Sequence, residues 1–249
     1  MIGAIRKSLR RLKRLGMTIR TPYELEVQLR KTPVQTGFDQ AFFVVAYNDL
    51  HTFTGYFASS PFVQREKTVS VYNLKNEGLP TIFNRVVKEH LIDDAWFIFC
   101  HQDFILKEDL LTRLKELDVN TIYGPSGVRL GDNRFYGQIV QTDNSLLGCV
   151  LAEPTLVHTL DEMCMIVHSS AFKEGLTFDE RFRFHFYGAD LCMNAYVSGF
   201  DVRALQLTCQ RARDVTSDSY LKALTLFREK WVKFLPIRTT TALIKREQS

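Results

Sequence analysis

Three polar clusters in this sequence hold residue types able to do chemistry: His101-Gln102-Asp103, His158-Thr159-Leu160-Asp161-Glu162, and Phe184-His185-Phe186-Tyr187-Gly188-Ala189-Asp190. The first of them ends the apolar run Trp96-Phe97-Ile98-Phe99-Cys100. A run of that length reads as a buried strand of a parallel sheet. Ligands of open α/β sheets bind outside the carboxyl ends of such strands, so His101 and Asp103 stand where a metal or a phosphate-bearing ligand belongs. A carboxylate at a strand end suits a hard divalent cation, because Mg²⁺ and Mn²⁺ take oxygen ligands and keep positions for substrate phosphates. Each cluster also has a plainer reading. His101 to Asp103 could be turn residues, Asp190 at a helix start could be an N-cap, and His185 could be a hydrogen-bonded structural histidine.

The surrounding pattern supplies the elements that would position these groups. Ala41–Ala46 is a second buried strand, ending in Tyr47-Asn48-Asp49, and Thr68–Tyr72 is a short third one. Gly78-Leu79-Pro80 punctuates before a helix over Thr81–Leu91, with Ile82 and Val86 facing inward alongside Phe83 or Val87. After the strand Ala95–Cys100, a helix near Lys107–Leu117 carries leucines at 110, 111, 114 and 117. Strands alternating with helices predict a parallel sheet flanked by helices. Then the texture changes: a strand over Thr121–Val128, an antiparallel ribbon of Arg134–Gln141 and Leu146–Ala152 turning at Asp143-Asn144, and a strand at Met163–Val167. A helix over Ala189–Val197, a strand over Asp201–Leu207 and a helix over Ser219–Phe234 complete the pattern, the last with Tyr220, Leu224, Phe227 and Trp231 on one side.

Composition narrows the class. The 249 residues are 45% hydrophobic and 24% charged, ordinary for a folded globular chain. No apolar run reaches the roughly 20 residues that span a bilayer, and no secretory leader is evident. The five cysteines (100, 149, 164, 192 and 209) are scattered and include no CxxC pair, which predicts buried cytosolic thiols rather than a zinc site or a disulfide framework. The net charge of +4 is unevenly spread. Residues 1–31 hold nine of the 32 Lys/Arg and two of the 28 Asp/Glu, leaving a mildly acidic body of 23 basic and 26 acidic groups. Nucleic acid is therefore not an expected partner. Residues 1–17 place Ile2, Ile5, Leu9 and Leu12 at helical spacing among cations. This basic amphipathic helix fits an anionic membrane surface, or packing on the body or a second subunit, equally well.

Four segments together resemble one family. WFIFCHQDF, HTLDEMCMIV, FDERFRFHFYGADLCMNAYVSGF and FREKWVKFLP, in this order and spacing, are similar to GT-A-type glycosyltransferases, specifically the small bacterial glycosyltransferase-like family related to family 2. The resemblance covers roughly Ala41 to Pro236. It implies an α/β fold with a Rossmann-like, mixed and mainly parallel sheet flanked by helices. By this reading residues 1–35 are a basic extension and 36–249 a single domain, with a nucleotide-sugar half over about 36–118 and an acceptor half over about 119–236.

Carried over residue by residue, the resemblance puts His101-Gln102-Asp103 in the place of the family's Asp-x-Asp motif, so Asp103 and His101 would hold a divalent cation, Mn²⁺ or Mg²⁺, that bridges the donor's diphosphate. Tyr47, Asn48 and Asp49 would line the nucleotide pocket, Asn84 would approach the donor, and Asp161 would face the donor sugar or acceptor, with Glu162 and Tyr187 beside it. Asp190 falls where inverting members carry the catalytic carboxylate, with His185 as the competing base. A His that the resemblance leads one to expect after Asp201–Leu207 is absent: the stretch reads Thr208-Cys209-Gln210-Arg211-Ala212-Arg213-Asp214. Arg211 or Arg213 could pair with the diphosphate instead.

The expected function is transfer of a sugar from a nucleotide-diphosphate donor to a hydroxyl of a glycan or lipid-linked acceptor, with inversion, as in polysaccharide biosynthesis. The expected place is the cytoplasm, with residues 1–17 as a peripheral hold on the inner membrane. The alternative is a non-catalytic nucleotide-sugar or glycan-binding module. A nucleotidyltransferase is disfavoured, because no Gly-rich, Lys/Arg-bearing phosphate loop follows the first strand.

Overall fold

The computed structural model describes residues 40–132, 134–211 and 218–246. The helix expected over residues 1–17, the rest of the extension to residue 35, and Arg213 lie outside the described residues. Along the chain come β1 (Gln40–Tyr47), α1 (Leu50–Gly55), β2 (Thr68–Tyr72), α2 (Leu79–His90) and β3 (Ala95–Cys100). β4 (Phe104–Leu106), α3 (Leu110–Leu114) and β5 (Thr121–Gly124) follow. The short strands β6 (Gly127–Val128), β7 (Phe135–Tyr136), β8 (Ile139–Gln141), β9 (Leu146–Leu147), β10 (Thr155–Leu156) and β11 (Thr159–Leu160) lead to β12 (Cys164–His168) and α4 (Ser169–Lys173). Then come α5 (Tyr187–Ser198), β13 (Asp201–Ala204), β14 (Cys209–Arg211), α6 (Asp218–Trp231) and the hairpin β15 (Ile237–Arg238) with β16 (Leu243–Ile244).

The central sheet has the order β10-β13-β5-β12-β3-β1-β2. β1 pairs in parallel with both β2 and β3, and β13 with β5. β12 runs antiparallel to β3 and β5, and β10 antiparallel to β13. Five of the seven strands thus point one way, and the mixed, mainly parallel sheet expected from the sequence is what the chain forms. The reversed strands are β12, inside the sheet, and β10, at its edge. Between β5 and β12 the chain makes only short strands, and without a crossover helix a neighbouring strand is entered antiparallel.

Alternation along β3 explains why all six of its residues are buried. Ala95, Phe97 and Phe99 join one apolar cluster, while Trp96, Ile98 and Cys100 join another. Successive side chains of a strand point to opposite faces, so each face carries its own core. α2 covers the first of these with Ile82, Phe83, Val86 and Val87, all buried. It starts with Pro80 in its first turn, where a missing N–H is harmless.

Other elements are shorter than their patterns predict. The helix expected over Lys107–Leu117 begins only at the N-cap Asp109 and runs from Leu110 to Leu114. The expected long ribbon is cut at Gly137, whose φ of +90 places a would-be Cβ 1.9 Å from the Pro125 carbonyl oxygen. β7 therefore pairs with β6, and only Ile139–Val140 face Leu146–Leu147. The strand expected over Asp201–Leu207 stops at Ala204. Among the described residues no helix is long and apolar enough to cross a membrane.

Candidate active site

The parallel pairing of β1 with β3 sets their carboxyl ends side by side, Val45 opposite Cys100. Tyr47-Asn48-Asp49 therefore lies against His101-Gln102-Asp103. Gln102 ties the two together: its Oε1 accepts from the backbone N–H of Asn48 and of Asp49, both at 3.1 Å, and its Nε2 donates to Asn48 Oδ1 at 3.0 Å. The middle residue of the motif is a clamp between strand ends. Replacing Gln102 with Ala is expected to lower stability by about 1 kcal/mol, since these bonds are near solvent, and to speed hydrogen exchange at the Asn48 and Asp49 amides. Unchanged protection of those two amides would remove the clamp.

Two adjoining hollows open at this end of the sheet and share His101 and Phe184. The smaller, about 180 Å³, is walled by Tyr47, Asn48, Asn73, Gln102 and Asp103. The larger, about 360 Å³, is walled by Asp161, Glu162, His185, Arg211 and Tyr220, with Thr239–Thr241 of the β15–β16 turn. Pairing of β14 with β4 puts Arg211 opposite Phe104, one residue beyond Asp103. Arg211 Nη1 then reaches both oxygens of Asp161, at 3.0 and 3.1 Å. Asp161 Oδ1 also accepts from the Met163 N–H at 3.1 Å, so this carboxylate is neutralised and fixed.

Tyr187, at the first position of α5, is buried with its hydroxyl 2.7 Å from His101 Nε2 and 3.1 Å from the Glu162 carbonyl oxygen. A carbonyl only accepts, so the phenol proton goes to Glu162 and His101 Nε2–H donates to the phenol oxygen. On the other side of the ring, His101 Nδ1 lies 3.9 Å from Asp103 Oδ1. Burial, ahead of nearby carboxylates, pushes the Tyr187 phenol well above its ordinary pKa, which keeps it a neutral bridge. His185 lines the larger hollow with Nε2 3.1 Å from Ser219 Oγ.

Three of the residues expected in the site point elsewhere. Asp190 is neither an N-cap nor a wall of either hollow. α5 begins at Tyr187 after Phe186, so Asp190 sits inside its first turn and is 0% exposed. Its carboxylate accepts from Trp231 Nε1 at 2.7 Å and Asn194 Nδ2 at 2.9 Å, and Lys230 Nζ lies 2.6 Å from Oδ1. A general base must reach the hydroxyl it deprotonates, and Asp190 faces α6 instead. Asn84 bonds the Thr177–Glu180 segment: its amide donates to the Phe178 carbonyl and Glu180, and its oxygen accepts from Phe178 N–H and Thr177. Asp49 is the N-cap of α1, accepting from the Thr52 hydroxyl at 2.7 Å and the His51 N–H at 2.9 Å. The Thr52 hydrogen bonds hold its pKa below the usual carboxylate value.

For a metal, the donor set is thin. Among the described residues no group of three or more His, Cys, Asp and Glu side chains could hold an ion. Cys209, near the position where a His was expected, is buried. At the strand end His101 Nδ1 and Asp103 Oδ1 stand 3.9 Å apart, a pair of groups short of a complete ligand set.

No family model matches the chain, and no curated protein matches its sequence. Among solved structures, the crystal structure of GalNAc-T7 with UDP, GalNAc and Mn²⁺ superposes with a TM-score of 0.55 at 10% identity, over 77% of this chain and 48% of that one. The fold is that of the GT-A glycosyltransferases. The chain thus spans about half the length of GalNAc-T7. S. aureus TarS aligns at 13% identity over 78% of this chain and 40% of its own, with a TM-score of 0.46. The inositol-1-phosphate CTP transferase from T. maritima aligns at 10% identity over 79% and 98%, with a TM-score of 0.36. In the GT-A frame, the two hollows lie where the sheet's strand ends place a ligand.

The sequence did not single out Phe184, Tyr220 or the Thr239–Thr241 turn as site residues. Tyr220 could be read only as one apolar position of a helix. Nothing local in Thr239-Thr240-Thr241 tells that a hairpin after Pro236 folds back over the larger hollow.

Proposed function

We propose that the protein is an enzyme that transfers a sugar from a nucleoside-diphosphate donor to a hydroxyl of a glycan or lipid-linked acceptor, with inversion. The observation that carries this reading is the pair of hollows joined at His101 and Phe184 at the carboxyl ends of β1 and β3. The smaller one suits the nucleotide, with Tyr47 and Asn48 as walls. The boundary at His101 and Asp103 suits the diphosphate, and the larger hollow suits the sugar and acceptor. His101 Nδ1 and Asp103 would hold Mn²⁺ or Mg²⁺ together with the donor's phosphates, where the ion would neutralise the charge that builds on the leaving diphosphate. Arg211 adds a guanidinium to the same end of the site, a group that pairs well with phosphate. The motif order supports membership of the small bacterial family related to family 2, with residues 36–249 as its domain.

The test is a thermal-shift panel of UDP-, GDP- and dTDP-sugars with and without Mn²⁺. A ligand that binds only the native state stabilises it by about 2.7 kcal/mol at a hundredfold excess over Kd, a shift of several degrees. One nucleotide class should raise the melting temperature, and more so with Mn²⁺; a flat panel would sink the reading. A non-catalytic binding module remains the second reading, favoured by the thin metal-donor set, and donor hydrolysis separates it from an enzyme.

Residues 1–17 are proposed to hold the protein at the cytoplasmic face of an anionic inner membrane, near a lipid-linked acceptor. Removing them should abolish pelleting with vesicles containing anionic lipid at low salt. Pelleting that persists without them sinks the docking role.

A further inference from the structure

The transfer needs a group to take the acceptor's proton, and Asp190, sealed against α6, walls neither hollow. We propose that Glu162 is that base, an assignment resting on the transfer reading above. Glu162 lines the larger hollow together with His101, His185 and Arg211. The Tyr187 hydroxyl touches both His101 Nε2 and the Glu162 carbonyl oxygen. The Glu162 backbone therefore stands near His101, where the two hollows join, and its residue lines the larger one.

Its side chain is held in place by α5. Oε1 accepts from the Gly188 N–H at 2.9 Å. The space it occupies exists because residue 188 has no side chain: a Cβ there would lie 2.7 Å from Glu162 Cγ and 2.8 Å from Met165 Sδ. Gly188 is the second residue of a 12-residue helix, and the positive end of a helix favours an anion. The helix thus supplies position, while its own acidic residue, Asp190, turns the other way and anchors α5 to α6.

In the step itself, the acceptor oxygen bonds to the anomeric carbon as its proton passes to the Glu162 carboxylate. The bond from that carbon to the diphosphate oxygen breaks, and the nucleoside diphosphate leaves with the bonding pair. Water can take the acceptor's place, which makes donor hydrolysis a usable assay before the acceptor is known.

The experiment measures nucleoside-diphosphate release from the UDP-, GDP- and dTDP-sugar panel, alongside donor Kd and melting temperature, for wild type, Glu162→Gln and Glu162→Asp. Gln keeps the oxygen that accepts from Gly188, so the fold and donor site should persist. Removal of a general base lowers turnover by about 10²- to 10⁴-fold. The expected result is a loss of 100-fold or more in kcat for Glu162→Gln, donor Kd within threefold of wild type, an unchanged melting temperature, and partial activity in Glu162→Asp. Turnover of Glu162→Gln within threefold of wild type overturns the base. A loss of turnover that follows an equal loss of donor binding overturns it too, by making Glu162 a binding residue. A wild type that neither binds nor hydrolyses any donor overturns the transfer reading and this assignment together.

Discussion

Lys230→Met should lower the unfolding free energy by about 3–5 kcal/mol, the range for breaking a buried ion pair from one side. Lys230 Nζ lies 2.6 Å from Asp190 Oδ1 and 2.9 Å from Asp179 Oδ2, and its side chain is 12% exposed. Removing it leaves two carboxylates in one buried pocket, with Arg181 still paired to Asp179. The two acids already titrate apart. Burial raises the Asp190 pKa even against Lys230 and Trp231. At Asp179 burial also works upward, but the hydrogen bonds of Arg181 and Lys230 outweigh it and hold the pKa well below normal. Without Lys230, Asp190 rises further. A carboxylate whose folded pKa lies above its unfolded value binds more protons when folded, so its contribution falls as pH rises. The deficit of Lys230→Met should therefore be largest near neutrality and shrink on acidification toward roughly pH 4, the ordinary carboxylate value. Urea unfolding at pH 7 and pH 5 measures both. A variant within 1 kcal/mol of wild type at pH 7 would mean that the pair does not anchor α5 to α6.

That anchor shows which parts of the chain were legible in sequence. The apolar run of β3 could be read correctly because both faces of a central strand are buried, and composition alone reports that. The helix at Tyr187–Ser198 could be read within two residues from its apolar content and the Ser198-Gly199 stop; Gly199 adopts a φ of 87 there. The direction in which Asp190 points could not be read. A carboxylate near a helix start can cap the helix, face a ligand or meet a buried cation, and the cation here comes from Lys230, 40 residues later. Asn84 was illegible for the same reason, since its partners lie some 94 residues away at Phe178.

The place of His101-Gln102-Asp103 at the end of a buried strand was legible, and the partners of Gln102 were not. The strand-end position placed it at the ligand end of the sheet. The clamp made by Gln102 depends on which strand lies alongside, and β1 becomes the parallel neighbour of β3 only in the folded sheet. The reversed β12 has a second consequence. It brings Asp161 and Glu162, just before its first residue Cys164, to the same sheet end as His101; the His101 N–H donates to the Met163 carbonyl at 2.9 Å. A parallel β12 would begin at the opposite end and leave these acids far from the site. The antiparallel β12 is thus what assembles the second hollow.

Arg211 offers the sharpest separation of structure from binding. Arg211→Met leaves Asp161, with a side chain 7% exposed, as a carboxylate without its guanidinium. Stability should fall by about 3 kcal/mol, and nucleotide-sugar affinity by 10- to 100-fold, the loss of roughly 1.4–2.7 kcal/mol that follows when a charged hydrogen-bond donor to a diphosphate is removed. Asp161→Asn keeps an oxygen for the Met163 N–H and should cost only about 1–2 kcal/mol. In the double variant the stranded charge is gone, so the stability losses should fall short of their sum by at least 1 kcal/mol, within the range for residues in direct contact. Donor affinity should not recover, because the cation proposed to meet the diphosphate is still missing. Chemical denaturation and donor titration read the two halves separately. Additive stability losses would make the pair energetically silent, and an Arg211→Met protein that binds donor within twofold of wild type would take Arg211 out of the donor site.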